Sequence, residues 1–228
     1  MLIGGLQKTT LLDYPNKVAA TVFTIGCNFR CSFCHNPDIV KGITRVIPVP
    51  RVLRFLQNRK KLLDAVCLSG GEPTIQRGLV SFIKKIKALG YLVKLDTNGA
   101  RPDVIEKLLA EKLVDYIAMD IKAKWEDYQK VTCRIWDLDA VKKSAIMLMK
   151  SEIPYEFRST VLPVLHREAD LLAIAEQIKG AARYYLQPFK SESKLVNDNF
   201  VGEKTYSKKQ LNDFISKIKG WFSVCEVR

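Results

Sequence analysis

The chain has 228 residues, of which 47% are hydrophobic and 27% charged, so it can bury one sizeable core and is neither disordered, collagenous nor a coiled coil. Its 37 Lys and Arg against 24 Asp and Glu leave a net charge of +13, which favours an acidic partner, nucleic acid or an anionic ligand without choosing among them. No apolar stretch is long enough to cross a bilayer, and residues 1–15 lack the charged flank and apolar run of a leader, so a cytoplasmic chain with no membrane partner is expected.

Residues 1–17 are taken as an N-terminal extension, after which β-rich apolar runs are expected at 18–25, 65–68, 91–95, 114–119, 155–162 and 182–186. Helical spacing fills the intervals at 51–59, 76–89, 104–112, 138–149 and 169–179, and again at 208–218. Pro102 suits a helical first turn and Gly90 a helical end. Polar residues 190–207 carry no periodicity and are expected to form a long loop before the last helix, either a lid or a mobile segment. Six strands alternating with six helices predict an α/β fold with parallel strands and right-handed crossovers. A full barrel needs about 250 residues. With six units visible, a partial (β/α)6 TIM-like barrel with outer helices or an open doubly wound sheet is expected, in a single domain over residues 1–228.

Ligands of such folds bind at the carboxyl ends of the strands, and the chemistry collects there. The first run is followed by Cys27, Cys31, Cys34 and His35, the second by Gly70, Gly71 and Glu72, the third by Asp96, Thr97, Asn98 and Gly99, and the fourth by Asp120 and Lys122. Any one of these acids could serve as a cap or turn residue; three beside a thiol cluster point to a bound cation. Three clustered thiols suggest a metal centre. A ferredoxin cluster takes four Cys, so three thiolates would leave one iron open. Zinc on Cys27, Cys31, Cys34 and His35 is the competitor, weakened because Cys34 and His35 are adjacent. Cys67 lies in an apolar run and is assigned to the core, while Cys133 and Cys225 receive no ligand role.

Lys122 follows Asp120 by two positions, so both share one strand face and suit a ribose or carboxylate contact. Arg158 lies within an apolar run, where an unpaired charge is costly, so it should face the interior and meet an anion. Val161 and Gln187 end the fifth and sixth strands, and His166 is expected at the surface. Residues 41–63 hold seven basic side chains and no acidic one, which suits a solvated helix face, a docking surface for an acidic partner, or contact with nucleic acid.

The Cys-x3-Cys-x2-Cys of Cys27 to Cys34 followed by Gly70-Gly71-Glu72-Pro73 resembles the radical S-adenosylmethionine (SAM) superfamily. Asp13-Tyr14-Pro15, Cys34-His35-Asn36-Pro37, Asp96-Thr97-Asn98-Gly99 and Met119-Asp120-Ile121-Lys122 narrow the resemblance to the glycyl radical enzyme activases. Among these it is most similar to the activating proteins of anaerobic ribonucleoside-triphosphate reductase, with the pyruvate formate-lyase activating enzymes as relatives. Asn16 stands where relatives often carry glycine.

The resemblance implies a [4Fe-4S] cluster on Cys27, Cys31 and Cys34, with SAM on the open iron. It places Gly70, Gly71 and Glu72 at the methionine ammonium and Phe33 against the adenine; Arg158 is then expected to meet the methionine carboxylate, and Val161 and Gln187, from their strand ends, to complete the adenine pocket. It puts a monovalent cation near Asp96, Thr97 and Asp120, with Asn98 and Lys122 also at the cofactor. The implied partners are a glycyl radical enzyme as protein substrate and a flavodoxin- or ferredoxin-type electron donor, rather than nucleic acid. A radical SAM enzyme acting on a small molecule such as a deazapurine precursor is the alternative.

Overall fold

Strand β1 (Ile3–Thr10) pairs antiparallel with β2 (Ala19–Thr24), with register shifts between Ile3 and Gly5 and between Gln7 and Thr10. The computed structural model describes residues 1–134, 137–190 and 194–228 and divides into two compact units. The first comprises Met1–Asn28, Asp38–Thr97 and Arg101–Ile117; the second comprises Phe29–Pro37, Asn98–Ala100 and Ala118–Arg228.

In the first unit the chain continues through α1 (Pro37–Lys41), α2 (Val49–Asn58), β3 (Ala65–Gly70), α3 (Leu79–Ala88), β4 (Leu92–Thr97) and α4 (Pro102–Ala110). β2, β3 and β4 are parallel neighbours, with Val22 opposite Leu68 and Leu68 opposite Leu95. Ala20, Val22, Val66, Leu68 and Leu95 are fully buried, as expected of parallel strands covered on both faces. Pro102 opens α4, where its missing N–H costs nothing, and Gly90 closes α3 at φ +89°, its N–H donating to the Lys87 carbonyl. Asn16 adopts φ +58°, so the N-terminal turn needs a left-handed residue and Asn supplies what glycine would.

Strand β5 (Tyr116–Asp120) begins in the first unit and ends in the second. The second continues with α5 (Tyr128–Thr132), α6 (Leu138–Met149), β6 (Tyr155–Val161), α7 (Glu168–Gln177), β7 (Arg183–Pro188), α8 (Lys208–Ile218) and β8 (Val224–Val227). β6, β7 and β8 pair in parallel. α6 and α8 span the residues expected from their periodicity, and α8 starts on a capping box of Ser207 and Gln210.

The described residues form eight strands rather than the six expected. β1 escaped because Gly4, Gly5, Gln7 and Lys8 break any apolar run, and β8 because it is only 4 residues long. The expected loop at 190–207 is partly ordered by contacts of its own. Leu195 is buried, and the N–H groups of Val196 and Asn197 donate to the carbonyls of Cys34 and Ser32. Residues 191–193 of that loop lie outside the described residues. No helix among the described residues is long and apolar enough to cross a membrane.

Candidate active site

In the first unit, β2 runs through Ile25 to Gly26, whose φ of +91° turns the chain out toward Cys27. The Gly70-Gly71 pair lies against this bend. A Cβ on Gly70 would fall 2.4 Å from the Thr24 nitrogen, and one on Gly71 would fall 1.9 Å from the Gly26 oxygen. The N–H of Gly71 donates to the Thr24 carbonyl and that of Glu72 to the Gly26 carbonyl, both at 2.9 Å. The glycines are therefore required by a backbone approach within the protein, which holds the Glu72 loop against the start of the cysteine loop.

Glu72 is buried, and its Oε1 accepts from the N–H of Thr74 at 3.0 Å, from Thr74 Oγ1 at 2.6 Å and from Thr97 Oγ1 at 2.7 Å. Three donors to one oxygen favour the charged carboxylate. Asp96 pairs at 2.5 Å with Lys94, an almost fully buried ammonium that also lies 5.9 Å over the Tyr116 ring. The sequence reading passed over Lys94. Its signal was a charge inside an apolar run, two residues before Asp96 and so on the same strand face.

In the second unit the cysteine loop carries Cys31 and Cys34, joined by a turn in which the Cys34 N–H donates to the Cys31 carbonyl at 3.1 Å. Burial pushes the Cys31 thiol up to about 12, against the pull of the Lys122 ammonium. Lys122 Nζ lies 2.9 Å from Asp120 Oδ2, and Arg158 Nε lies 3.0 Å from Asp120 Oδ1. Arg158 thus meets an anion, as expected, and that anion is Asp120. Burial raises the Asp120 carboxyl, but Arg158 and Lys122 outweigh it and hold it at about 2. Burial lowers Lys122, and Asp120 with Cys31 more than offsets this, so its ammonium is held more firmly than usual.

Phe33 is buried and meets His166 edge to face, with ring centroids 6.3 Å apart. The expected surface position of His166 is wrong: it is 1% exposed. The turn after β6 carries it inward, where its Nε2 lies 2.8 Å from the Lys122 carbonyl and Tyr206 Oη donates to its own carbonyl at 2.5 Å. Since a carbonyl only accepts, Nε2 carries the proton and Nδ1 faces the Leu162 N–H at 3.4 Å. Burial lowers the His166 pKa. Val161 is fully buried at the end of β6, Gln187 is half-buried in β7, and the Oδ1 of Asn98 accepts from the Ala100 N–H at 3.0 Å.

His35, the fourth donor of the zinc alternative, stacks on Phe189 at 5.3 Å. Among the described residues no group of three or more His, Cys, Asp or Glu side chains is gathered as a single ion would require. Cys67 and Cys225 are buried, Cys67 being fully so. Cys133 is exposed, and its Sγ lies 3.3 Å from Ser32 Oγ, beside the cysteine loop, a neighbour that sequence spacing could not reveal. In the second unit His35 is thus engaged with Phe189, which leaves the thiols as the donors of the cysteine loop, and the Lys122 ammonium acts on Cys31.

The family model for the radical SAM superfamily matches residues 21–178. The chain belongs to this superfamily. It is 34% identical over 194 residues, 82% of this chain and 80% of the relative, to a Methanocaldococcus jannaschii protein provisionally named a glycyl-radical enzyme activating enzyme. It is 32% identical over 134 residues to the pyruvate formate-lyase-activating enzyme of Clostridium pasteurianum, spanning 56% of this chain and 55% of that one. It is 26% identical over 189 residues to the 7-carboxy-7-deazaguanine synthase of Methanopyrus kandleri, covering 72% and 70% of the two chains. Among solved structures, Streptococcus suis SuiB bound to S-adenosylmethionine aligns at a TM-score of 0.69 and 13% identity over 90% of this chain and 48% of that one. That likeness shows the fold, the expected α/β arrangement of a partial barrel. The chain is a radical SAM enzyme, and the cofactors of its family are a [4Fe-4S] cluster and SAM.

Proposed function

We propose that this enzyme is a glycyl radical enzyme activase, with anaerobic ribonucleoside-triphosphate reductase as its partner, working in the cytoplasm with a flavodoxin- or ferredoxin-type electron donor. The observation that carries the reading is the similarity to the Methanocaldococcus activating enzyme over most of both chains. The cluster that Cys27, Cys31 and Cys34 would hold would supply one electron to reduce the SAM sulfonium, and cleaved SAM would supply the means to take hydrogen from a glycine Cα.

In this reading Cys27, Cys31 and Cys34 hold the cluster. Glu72, held in place by hydrogen bonds from Thr74 and Thr97, faces the methionine ammonium beside the Gly70 and Gly71 backbone. Lys122 and Arg158, oriented by their pairing with Asp120, attract the methionine carboxylate. Phe33, fixed by His166, serves the adenine together with Val161 and Gln187. Asp96, Asn98 and Asp120 are assigned to the cofactor and a monovalent cation beside it.

The test is anaerobic reconstitution with iron and sulfide, reduction and addition of SAM, with 5′-deoxyadenosine as the readout, followed by addition of the reductase and a search for a glycine-centred paramagnetic signal. Nucleoside formation with a glycyl signal supports the reading. A protein that takes up only zinc, or that retains iron after Cys31→Ala, overturns it. The deazaguanine synthase relative favours a second reading, turnover of a small molecule, which gains if SAM is cleaved but no partner acquires a radical.

A further inference from the structure

In the first unit a groove of about 330 Å3 opens between β1 and α2, lined by Leu6, Lys8, Ile47, Arg51 and Phe55. Its floor is apolar and its cations stand on two different elements, β1 and α2. β1 brings Lys8 and no carboxylate, and residues 41–63 bring seven basic side chains and no acidic one. The same basic stretch of sequence also holds two exposed aliphatic residues, Ile43 at 68% exposure and Leu62 at 61%. Apolar contacts ringed by one sign of charge are the composition of a protein-docking surface.

We propose that this groove docks an acidic segment of the protein substrate, one large apolar side chain entering between Leu6 and Phe55 while flanking carboxylates meet Lys8 and Arg51. The inference rests on the proposed function only in taking the partner to be a protein. The complementarity argues against nucleic acid. A phosphate backbone gains nothing from an apolar floor, and the groove offers the single aromatic ring of Phe55 rather than the succession of rings on which bases stack.

The experiment uses the full chain and a fluorescent peptide of glutamates around a single leucine, read by anisotropy. Controls are a peptide with alanine for the leucine and a single-stranded DNA oligonucleotide of equal charge. The expected result is saturable binding that weakens with salt, is weaker for the alanine peptide, and falls about tenfold in Arg51→Glu. Arg51 is exposed, so this variant keeps the fold, and Lys8→Glu provides an independent second charge reversal. No binding of the leucine peptide, indifference to both reversals, or tighter binding of the oligonucleotide overturns the proposal. Partner-free 5′-deoxyadenosine formation stays unchanged in Arg51→Glu. Its absence in the unaltered protein would count against the proposed function and leave the docking result intact, so the two failures are distinguishable.

Discussion

Gly71 lies so close to Gly26 that a Cβ added to it would come within 1.9 Å of the Gly26 carbonyl oxygen. The contact ties the loop carrying Glu72 to the residue just before Cys27, through the Glu72 N–H and the same Gly26 carbonyl. Backbone meets backbone there, so no rotamer change relieves a substitution. Gly71→Ala is expected to lower stability by about 2 kcal/mol or more through overpacking. Gly26→Ala meets no atom within 4 Å and suffers only from its φ of +91°, at about 1 kcal/mol. Urea denaturation of the two variants checks the order, and equal midpoints would remove the argument for close approach.

Asp120 between Lys122 and Arg158 makes a pH prediction. Its carboxyl is held at about 2 instead of the ordinary 3.8. The folded state therefore binds this proton less readily than the unfolded one, and the pair stabilises by about 2 kcal/mol above the unfolded pKa. That contribution fades as pH falls from about 4 toward 2. Asp120→Asn should lose stability at neutral pH and show a shallower acid-side slope. A variant whose stability falls with acid as steeply as the parent's would show that the pairing is electrostatically idle.

His166 titrates in the opposite part of the scale. Burial lowers its pKa, so the unfolded chain binds the proton first, and stability falls as pH drops through the unfolded value, near 6.5. Burial lowers His35 as well, with the same sign. His166→Gln is expected to flatten the stability profile on the mildly acidic side of neutrality, leaving the His35 contribution. Nitrogen NMR should find the proton on Nε2, since the Lys122 carbonyl accepts from it. A proton on Nδ1 would contradict the hydrogen-bond assignment.

Arg228 reaches the buried Glu156 with both carboxylate oxygens at 3.0 Å from Nη1, while its guanidinium lies 3.5 Å from the centre of the Tyr185 ring. Arg228→Ala removes a cationic partner from a buried carboxylate and should cost about 3 kcal/mol, less than a fully buried pair because the Arg is partly exposed. Arg228→Lys restores the charge but not the planar stack and should recover only part of the loss. Full rescue by lysine in a thermal melt would show that charge alone matters.

What was legible in the sequence was local. The thiol spacing of Cys27, Cys31 and Cys34, the alternation of apolar runs with helical segments, and the bounds of α6 and α8 are set by short-range periodicity and spacing, which one stretch of chain contains whole. Arg158 was legible too, because a charge in an apolar run must find an anion, although which anion was not. Only the tertiary structure decided that Asp120 is that anion, that Glu72 gathers Thr74 and Thr97, that His166 turns inward against Phe33, and that Gly71 abuts Gly26. Apart from the local Glu72–Thr74 bonds, each of these relationships joins segments separated in the chain, and strand register and the packing of turns, rather than residue type, set which side chains meet.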